Sequence, residues 1–402
     1  MNFVNKILRG DRVIWTIFMF LCMISIVEVY SASSMLTFRT NYWQPILKHT
    51  TFLLTGLGII LLVHSIKPKY FWIFAVTLPF VWLLLVATQF MGQTVNGANR
   101  YLFGFQPSEI AKLCLISFVA FILSRKKDII STSLSFKWIW AISVITCALI
   151  VRDNLSTAAL LYCVVGLMMF VGQIPFKKLA IFVLATFTLI SLLFAFIWFF
   201  PEQTEKIGLK RKVTWVERLK NYNEQPEITK KGKIPDERFQ EVMAKIAVAR
   251  GGIIGKMPGN SQQSNLLPQA YSDFIYAIII EETGIIGGIV VLILYVFLFI
   301  RAGTIAGRCM KLFPKYLVMG SALMLVLQAF VNMAVSVGLM PVTGQPLPLI
   351  SKGGSSILIT CVFLGIILSV SRFENPRGIK QEEVIDDEFE EEKRIAQEED
   401  EE

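Results

Sequence analysis

The 402-residue chain carries 54% hydrophobic and 17% charged side chains at a mean hydropathy of +0.59, which excludes an ordinary water-soluble domain and makes a bilayer the solvent for most of the sequence. Its formal charge of +9 is uneven: residues 381–402 hold 13 acidic and two basic side chains, a net −11 that leaves +20 on residues 1–380. Membrane-edge Lys and Arg account for that excess without a nucleic-acid partner, and six cysteines without ligand spacing beside only two histidines argue against a disulfide framework or a histidine-rich metal centre.

The first apolar run, about Val13 to Ala32, is long enough to span and lacks a cleavage pattern, so it reads as a retained helix. Apolar runs between charged or Pro/Gly-rich breaks predict an all-α polytopic membrane protein. Its ten transmembrane helices lie near 13–33, 47–66, 70–91, 107–124, 136–152, 155–172, 178–200, 273–300, 315–338 and 353–371. Lys and Arg collect on alternate connections (Arg9 and Arg12, Lys67 and Lys69, Arg125 to Lys127, Lys177 and Lys178, Arg301 to Lys315), which places both termini in the cytoplasm. The chain thus divides into a cytoplasmic N-terminus (1–12), a ten-helix membrane domain (13–372) and an acidic cytoplasmic tail (373–402) too poor in apolar residues to bury a core. The connection between helices seven and eight, residues 201–272, is a large extracytoplasmic loop. Within it DERFQEVMAKIAVAR (236–250) has helical spacing and runs into the Gly251-Gly252 break, predicting a helix at or near the outer surface.

The motifs follow in chain order. NGANRY supplies Arg100 in a short outer loop, where a guanidinium suits bidentate phosphate binding. QPSEIAK puts Glu109 and Lys112 three residues apart on one helix face; charges at that depth cost roughly 2.5–3.5 kcal/mol, so the pair turns toward a polar cavity as a structural ion pair or a substrate contact. RDNLST places Arg152 and Asp153 at an outer helix end, a structural pair in which Asp153 is a candidate to orient a cation. NLLPQAYSDFIYAIIIEETGIIGG delivers Asp273 through a polar, Pro-containing loop to the start of the eighth helix, as a reactive carboxylate or an N-cap. Glu281 lies roughly 12 Å deeper on the same helix and, with Glu282, is an expensive acidic pair within an apolar run, a candidate substrate-binding or supporting residue or else a helix-packing or partner contact. GLMPVTGQPLPLISKGGSS, with three prolines and four glycines, cannot be a spanning helix and predicts a re-entrant outer loop walling a site, with Lys352 as its cation and Ser355 in its GGSS ending.

These motifs, in this order across residues 10–372, resemble the SEDS family (shape, elongation, division and sporulation), and the GGSS ending with LPLIS resembles its FtsW-like division branch more than the RodA-like elongation branch. The resemblance implies an inverting glycosyltransferase that polymerises lipid II into peptidoglycan strands held on undecaprenyl pyrophosphate, at the outer face of the cytoplasmic membrane and at the division septum. Asp273 matches the family's essential aspartate, as general base or cation-assisted activator of the acceptor 4-hydroxyl. Arg100, Glu109 and Lys112 match positions lining the family's cavity. A divalent cation (Mg or Mn, ligands unknown), a class B penicillin-binding protein transpeptidase and other division proteins are the implied cofactor and partners. The chain departs from the family at Arg152-Asp153-Asn154-Leu155-Ser156-Thr157, where Pro-Asp-x-Gly-Thr is usual, and at Lys352, where an aromatic residue is usual. Ten helices with buried charges equally suit a lipid-precursor flippase, and the acidic tail suits a division scaffold.

Overall fold

The computed structural model describes residues 9–32, 44–95, 98–102, 104–125, 129–152, 154–199, 236–265 and 271–373. The acidic tail beyond Phe373 and the first half of the predicted outer loop lie outside the described residues. The fold is nearly all helical: α1 Arg12–Ala32, α2 Gln44–Ser65, α3 Ile73–Val76, α4 Leu78–Met91, α5 Pro107–Ser124, α6 Ile129–Val151, α7 Leu155–Val171, α8 Phe176–Phe199, α9 Asp236–Gly251, α10 Ile275–Arg308, α11 Leu312–Ser336 and α12 Gly354–Phe373. Among the described residues seven helices are long and apolar enough to cross a membrane, or eight if the bent pair α3 and α4 is one span; α7, at 17 residues, is shorter. A helix covers each predicted run, although the count of ten spans exceeds what length and composition establish.

Proline explains the bent pair. Pro79 opens α4 without an N–H to donate, and its ring clashes with the carbonyl one turn back, so the two pieces meet at 46°. Within NGANRY, read as a loop, Ala98–Tyr101 form a strand, β2, that pairs antiparallel with β1, Gln93–Val95, with a bulge between Gln93 and Thr94.

Helices α5, α11 and α12 form the centre, buried over most of their length, whereas α2 and α10 bury a narrower stripe and expose Leu54, Leu62, Ile289, Phe297 and Ile300. Exposed apolar faces of that extent suit lipid. Where lipid is as apolar as leucine, close packing of small residues has to hold helices together. Accordingly Gly56 of α2 lies against Cys361 of α12, and Gly365 of α12 against Val63 of α2. The α9 helix predicted at 236–250 forms, and it is docked onto the bundle: Ala244 and Ala247 pack against Phe274, Ala277, Ile278 and Val335.

The long helix α10 is broken at Gly284 (φ 73°, ψ −175°). The loop after α9 takes over the hydrogen bonds the break would forfeit. Lys256 and Met257 donate their backbone N–H groups to the carbonyls of Glu281 and Glu282 at 3.0 and 2.8 Å, while Ile285 and Ile286 donate theirs to Gly252 and Ile253 at 3.0 and 3.5 Å. Four backbone groups at the break are thereby satisfied by protein, in the way an apolar surrounding demands.

Candidate functional site

Four helix beginnings converge on one cavity of about 290 Å³. Gln106 and Glu109 line it from the start of α5, Asn154 and Thr157 from α7, Asp273 from the turn before α10, and Lys352, Ser355 and Ser356 from the approach and first turn of α12. Helix N-termini carry unpaired N–H groups and the positive end of the macrodipole, so their convergence favours an anionic ligand. Asn154 caps α7, its Oδ1 accepting from the N–H groups of Ser156 and Thr157 at 3.1 and 3.3 Å; this is the turn at which the sequence departs from the Pro-Asp-x-Gly-Thr pattern.

Asp273 is half-buried on the cavity wall, and Ser272 donates its hydroxyl to Oδ1 at 2.9 Å. Its backbone is held from below, because Asn332 of α11 uses its Nδ2 group to donate to the carbonyls of both Asp273 (2.9 Å) and Gln345 (2.7 Å). One buried amide thereby fixes the aspartate to the Gly338–Gly353 segment. That segment is irregular, as its prolines and glycines predict, and its later part is buried: Gln345, Leu347, Leu349, Ile350 and Ser351 are each 2% exposed or less. Its polar groups are satisfied from several helices. Gln345 donates to Thr157 Oγ1 at 2.7 Å, Gln328 to the Pro346 carbonyl at 2.9 Å, Tyr295 to the Pro348 carbonyl, and Ser351 to the Ser272 carbonyl at 2.6 Å.

Lys352 lines the same cavity, half-buried, with Nζ 4.6 Å from the centroid of Tyr271 and its backbone N–H donated to the Tyr271 carbonyl at 2.9 Å. Burial, and then the charge of Lys48, lowers its pKa below the ordinary lysine value. A cation held at such an energetic disadvantage is primed for an anionic partner.

Of the residues singled out in the sequence, the structure brings Asp273, Glu109, Lys352 and Ser355 to one cavity. Lys112 lies behind the wall: its Nζ is 2.7 Å from Glu109 Oε1 and 3.1 Å from Gln328 Oε1, and it is 1% exposed. Its role is to neutralise Glu109 and anchor Gln328 beneath the irregular segment. Replacing Lys112 by Met is therefore expected to cost about 3–5 kcal/mol, because it leaves a buried carboxylate without its cation. The double replacement Glu109→Leu/Lys112→Met is expected to regain most of that loss, and unfolding midpoints of the two variants in detergent check the difference.

Glu281 lies apart from these residues. It is fully buried outside the cavity, paired with Lys256 (3.4 Å) and accepting from the Ser261 hydroxyl (2.5 Å) and the Gln263 N–H (3.3 Å). All three partners come from the loop after α9, so its carboxylate fastens the α10 break. Glu282 accepts from Ser31 of α1, whose oxygen in turn accepts the Gly259 N–H at 3.2 Å, fastening α1 to the same loop. Arg100 lies in β2, but its side chain, like the whole of Asp153, lies outside the described residues. Sequence reasoning missed Gln328 and Asn332, although two amides four residues apart inside an apolar run share a helix face and signal a buried polar partner.

The family model FTSW_RODA_SPOVE, described as cell cycle protein, matches residues 11–376. Relatives named probable peptidoglycan glycosyltransferase FtsW include that of Saccharophagus degradans, 33% identical over 370 residues and covering 87% of this chain and 89% of its own. That of Haemophilus influenzae is 31% identical, covering 94% of each chain. Among solved structures, a chain of a peptidoglycan synthase complex described for coordination of polymerization and crosslinking is similar at TM-score 0.70 and 24% identity, covering 91% of this chain and 99% of its own. The rod shape determining protein RodA of Thermus thermophilus is similar at TM-score 0.63 and 22% identity, covering 91% of this chain and 97% of its own. These two likenesses bear on the fold.

Proposed function

The chain belongs to the FtsW/RodA/SpoVE family of cell cycle proteins, and from that premise we propose that it is a peptidoglycan glycosyltransferase of the FtsW branch, polymerising lipid II during division. The single observation that carries the chemistry is the cavity that Asp273 lines together with Lys352 and the first turns of α5, α7 and α12. Lipid II is a disaccharide on a lipid pyrophosphate, and its two recognisable parts have counterparts here: helix N-termini and Lys352 for the pyrophosphate, Asp273 for a sugar hydroxyl.

In this reading the acceptor's 4-hydroxyl attacks the anomeric carbon of the donor from the face opposite the departing lipid pyrophosphate, with inversion. Asp273 accepts the hydroxyl proton as the new bond forms; with a reference pKa of about 3.9 it becomes an effective base only as that oxygen becomes acidic along the reaction. Lys352 and the N–H groups of the α12 first turn stabilise the charge developing on the pyrophosphate. The cavity offers two carboxylates, Asp273 and Glu109, and among the described residues no three ligating side chains form a metal group. A divalent cation here would therefore be held mainly by Asp273 together with the substrate's pyrophosphate, the usual mode for Mg, and would add charge stabilisation to the leaving group.

The full topology in this reading is ten spans in the inner membrane, both termini cytoplasmic, with 201–272 as the outer loop and the protein at the septum. Crosslinking falls to a class B penicillin-binding protein partner. The similarity in fold to a chain of a synthase complex that couples the two activities supports that partner.

Glycan-strand formation from labelled lipid II by purified protein, with and without Mg²⁺ or Mn²⁺ and the cognate transpeptidase, tests the proposal. Polymer is the expected result. Absence of polymer under every condition, with lipid II crossing between leaflets in a flipping assay, would transfer the assignment to a flippase.

A further inference from the structure

At the far end of α10 from Asp273, roughly 40 Å away at 1.5 Å per residue, a second cavity of about 250 Å³ opens between the starts and ends of three helices. It is lined by Arg12 at the start of α1, Arg301 and Arg308 near the end of α10, and Ser371 at the end of α12, with Asp11 and Val13 between them. The site is held in shape by directed bonds. Asp11 caps α1 by accepting from the N–H groups of Val13 and Ile14 at 3.0 and 3.2 Å, and its other oxygen pairs with Arg301 at 2.7 Å. The Asp11 N–H is donated to Ser371 Oγ at 3.0 Å. Gly10 allows that close approach, since a Cβ there would stand 2.9 Å from the same hydroxyl.

Asp11 thus neutralises Arg301 alone. Arg12 and Arg308 are exposed, and neither guanidinium has a partner among the described residues. Two unpaired guanidinium groups around a preformed cavity match the geometry of a phosphate, which Arg binds bidentately. The flank is apolar: Val13 lines the opening, and Phe297 and Ile300 of α10 are exposed beside it. A ligand with phosphate at one end and hydrocarbon at the other satisfies both surfaces, and basic pockets between helix ends at headgroup depth are where anionic lipids bind.

We propose that the cavity formed by Arg12, Arg301, Arg308 and Asp11 is a binding site for an anionic phospholipid headgroup, separate from the Asp273 cavity. The assignment rests on the bundle crossing a membrane and is independent of the polymerase reading.

Native mass spectrometry of the purified full-length protein in neutral detergent, titrated with phosphatidylglycerol or phosphatidylcholine, tests it. Phosphatidylglycerol is expected to bind in preference, and Arg12→Gln/Arg308→Gln to weaken it about 30-fold, with Arg308→Gln alone weakening it about 5-fold. Both arginines are exposed and outside the Asp11 pair, and an unchanged unfolding midpoint verifies each variant; if the double variant fails to fold, the single variant decides. Equal binding of the two lipids, or unchanged phosphatidylglycerol affinity in the folded variants, overturns the proposal. Displacement of the lipid by an equal concentration of inorganic phosphate overturns the lipid assignment in favour of a free-anion site.

Discussion

Asp273→Asn is expected to lower the rate of glycan-strand formation about 10²- to 10⁴-fold, the range for removal of a positioned general base, while leaving the fold intact. Asn has nearly the same shape, and its amide oxygen still accepts the Ser272 hydroxyl. The contact that orients the residue is made by the backbone carbonyl, to which Asn332 donates. Without added divalent cation, lipid II affinity should change little, because the groups proposed to meet the pyrophosphate, Lys352 and the α12 first turn, are untouched. The loss should therefore appear in kcat rather than in KM, the pattern of an interaction made only in the transition state. Single-turnover rates with a saturating labelled lipid II, alongside unfolding midpoints, separate chemistry from stability. A variant that polymerises at the wild-type rate would remove Asp273 from the reaction.

Gly284→Ala is expected to be strongly destabilising, at about 5–7 kcal/mol. A Cβ there would stand 2.1 Å from the Ile253 carbonyl oxygen and 2.7 Å from the Gly255 nitrogen, and the backbone is at φ 73°. Relieving the clash moves the loop away and breaks the four hydrogen bonds that replace the helix's own across the break. The estimate combines backbone strain of about 1–3 kcal/mol with the loss of bonds worth about 1 kcal/mol each. Gly252→Ala is the internal control: it too has positive φ (56°), but nothing lies within 4 Å of the added carbon, so strain alone of about 1 kcal/mol is expected. Reversible unfolding in mixed micelles distinguishes the two. Equal small effects would show that the break at Gly284 is held by something other than its contact with the 252–257 loop.

The break shows what a sequence of this kind conceals. The EETG run sits in an otherwise apolar stretch, so hydropathy continues smoothly through it. The residues that complete its hydrogen bonding, 252 to 257, come from a different element, the loop after α9. Glu281 and Glu282 were legible as costly groups that must have partners, and they do. Their direction was not legible, because helical spacing assigns each glutamate a face without saying which element packs against that face. The same limit separates Glu109 from Lys112. Spacing puts both on one helix face, but which end of an ion pair meets the cavity depends on Gln328 of a helix more than 200 residues away.

By itself the sequence determined the solvent, the approximate position of each helix, the irregular Gly338–Gly353 segment and the placement of Asp273 at a helix start, since each follows from local composition and backbone rules. Only the tertiary structure decided that the beginnings of α5, α7, α10 and α12 meet at one cavity, that Asn332 ties Asp273 to the irregular segment, and that Glu281 faces the loop after α9. The physical reason lies in the bilayer. Lipid and protein interior are equally apolar, so hydrophobic pattern reports that a helix is in the membrane without reporting which of its faces meets protein; that choice is made by sparse polar contacts between residues far apart in the chain.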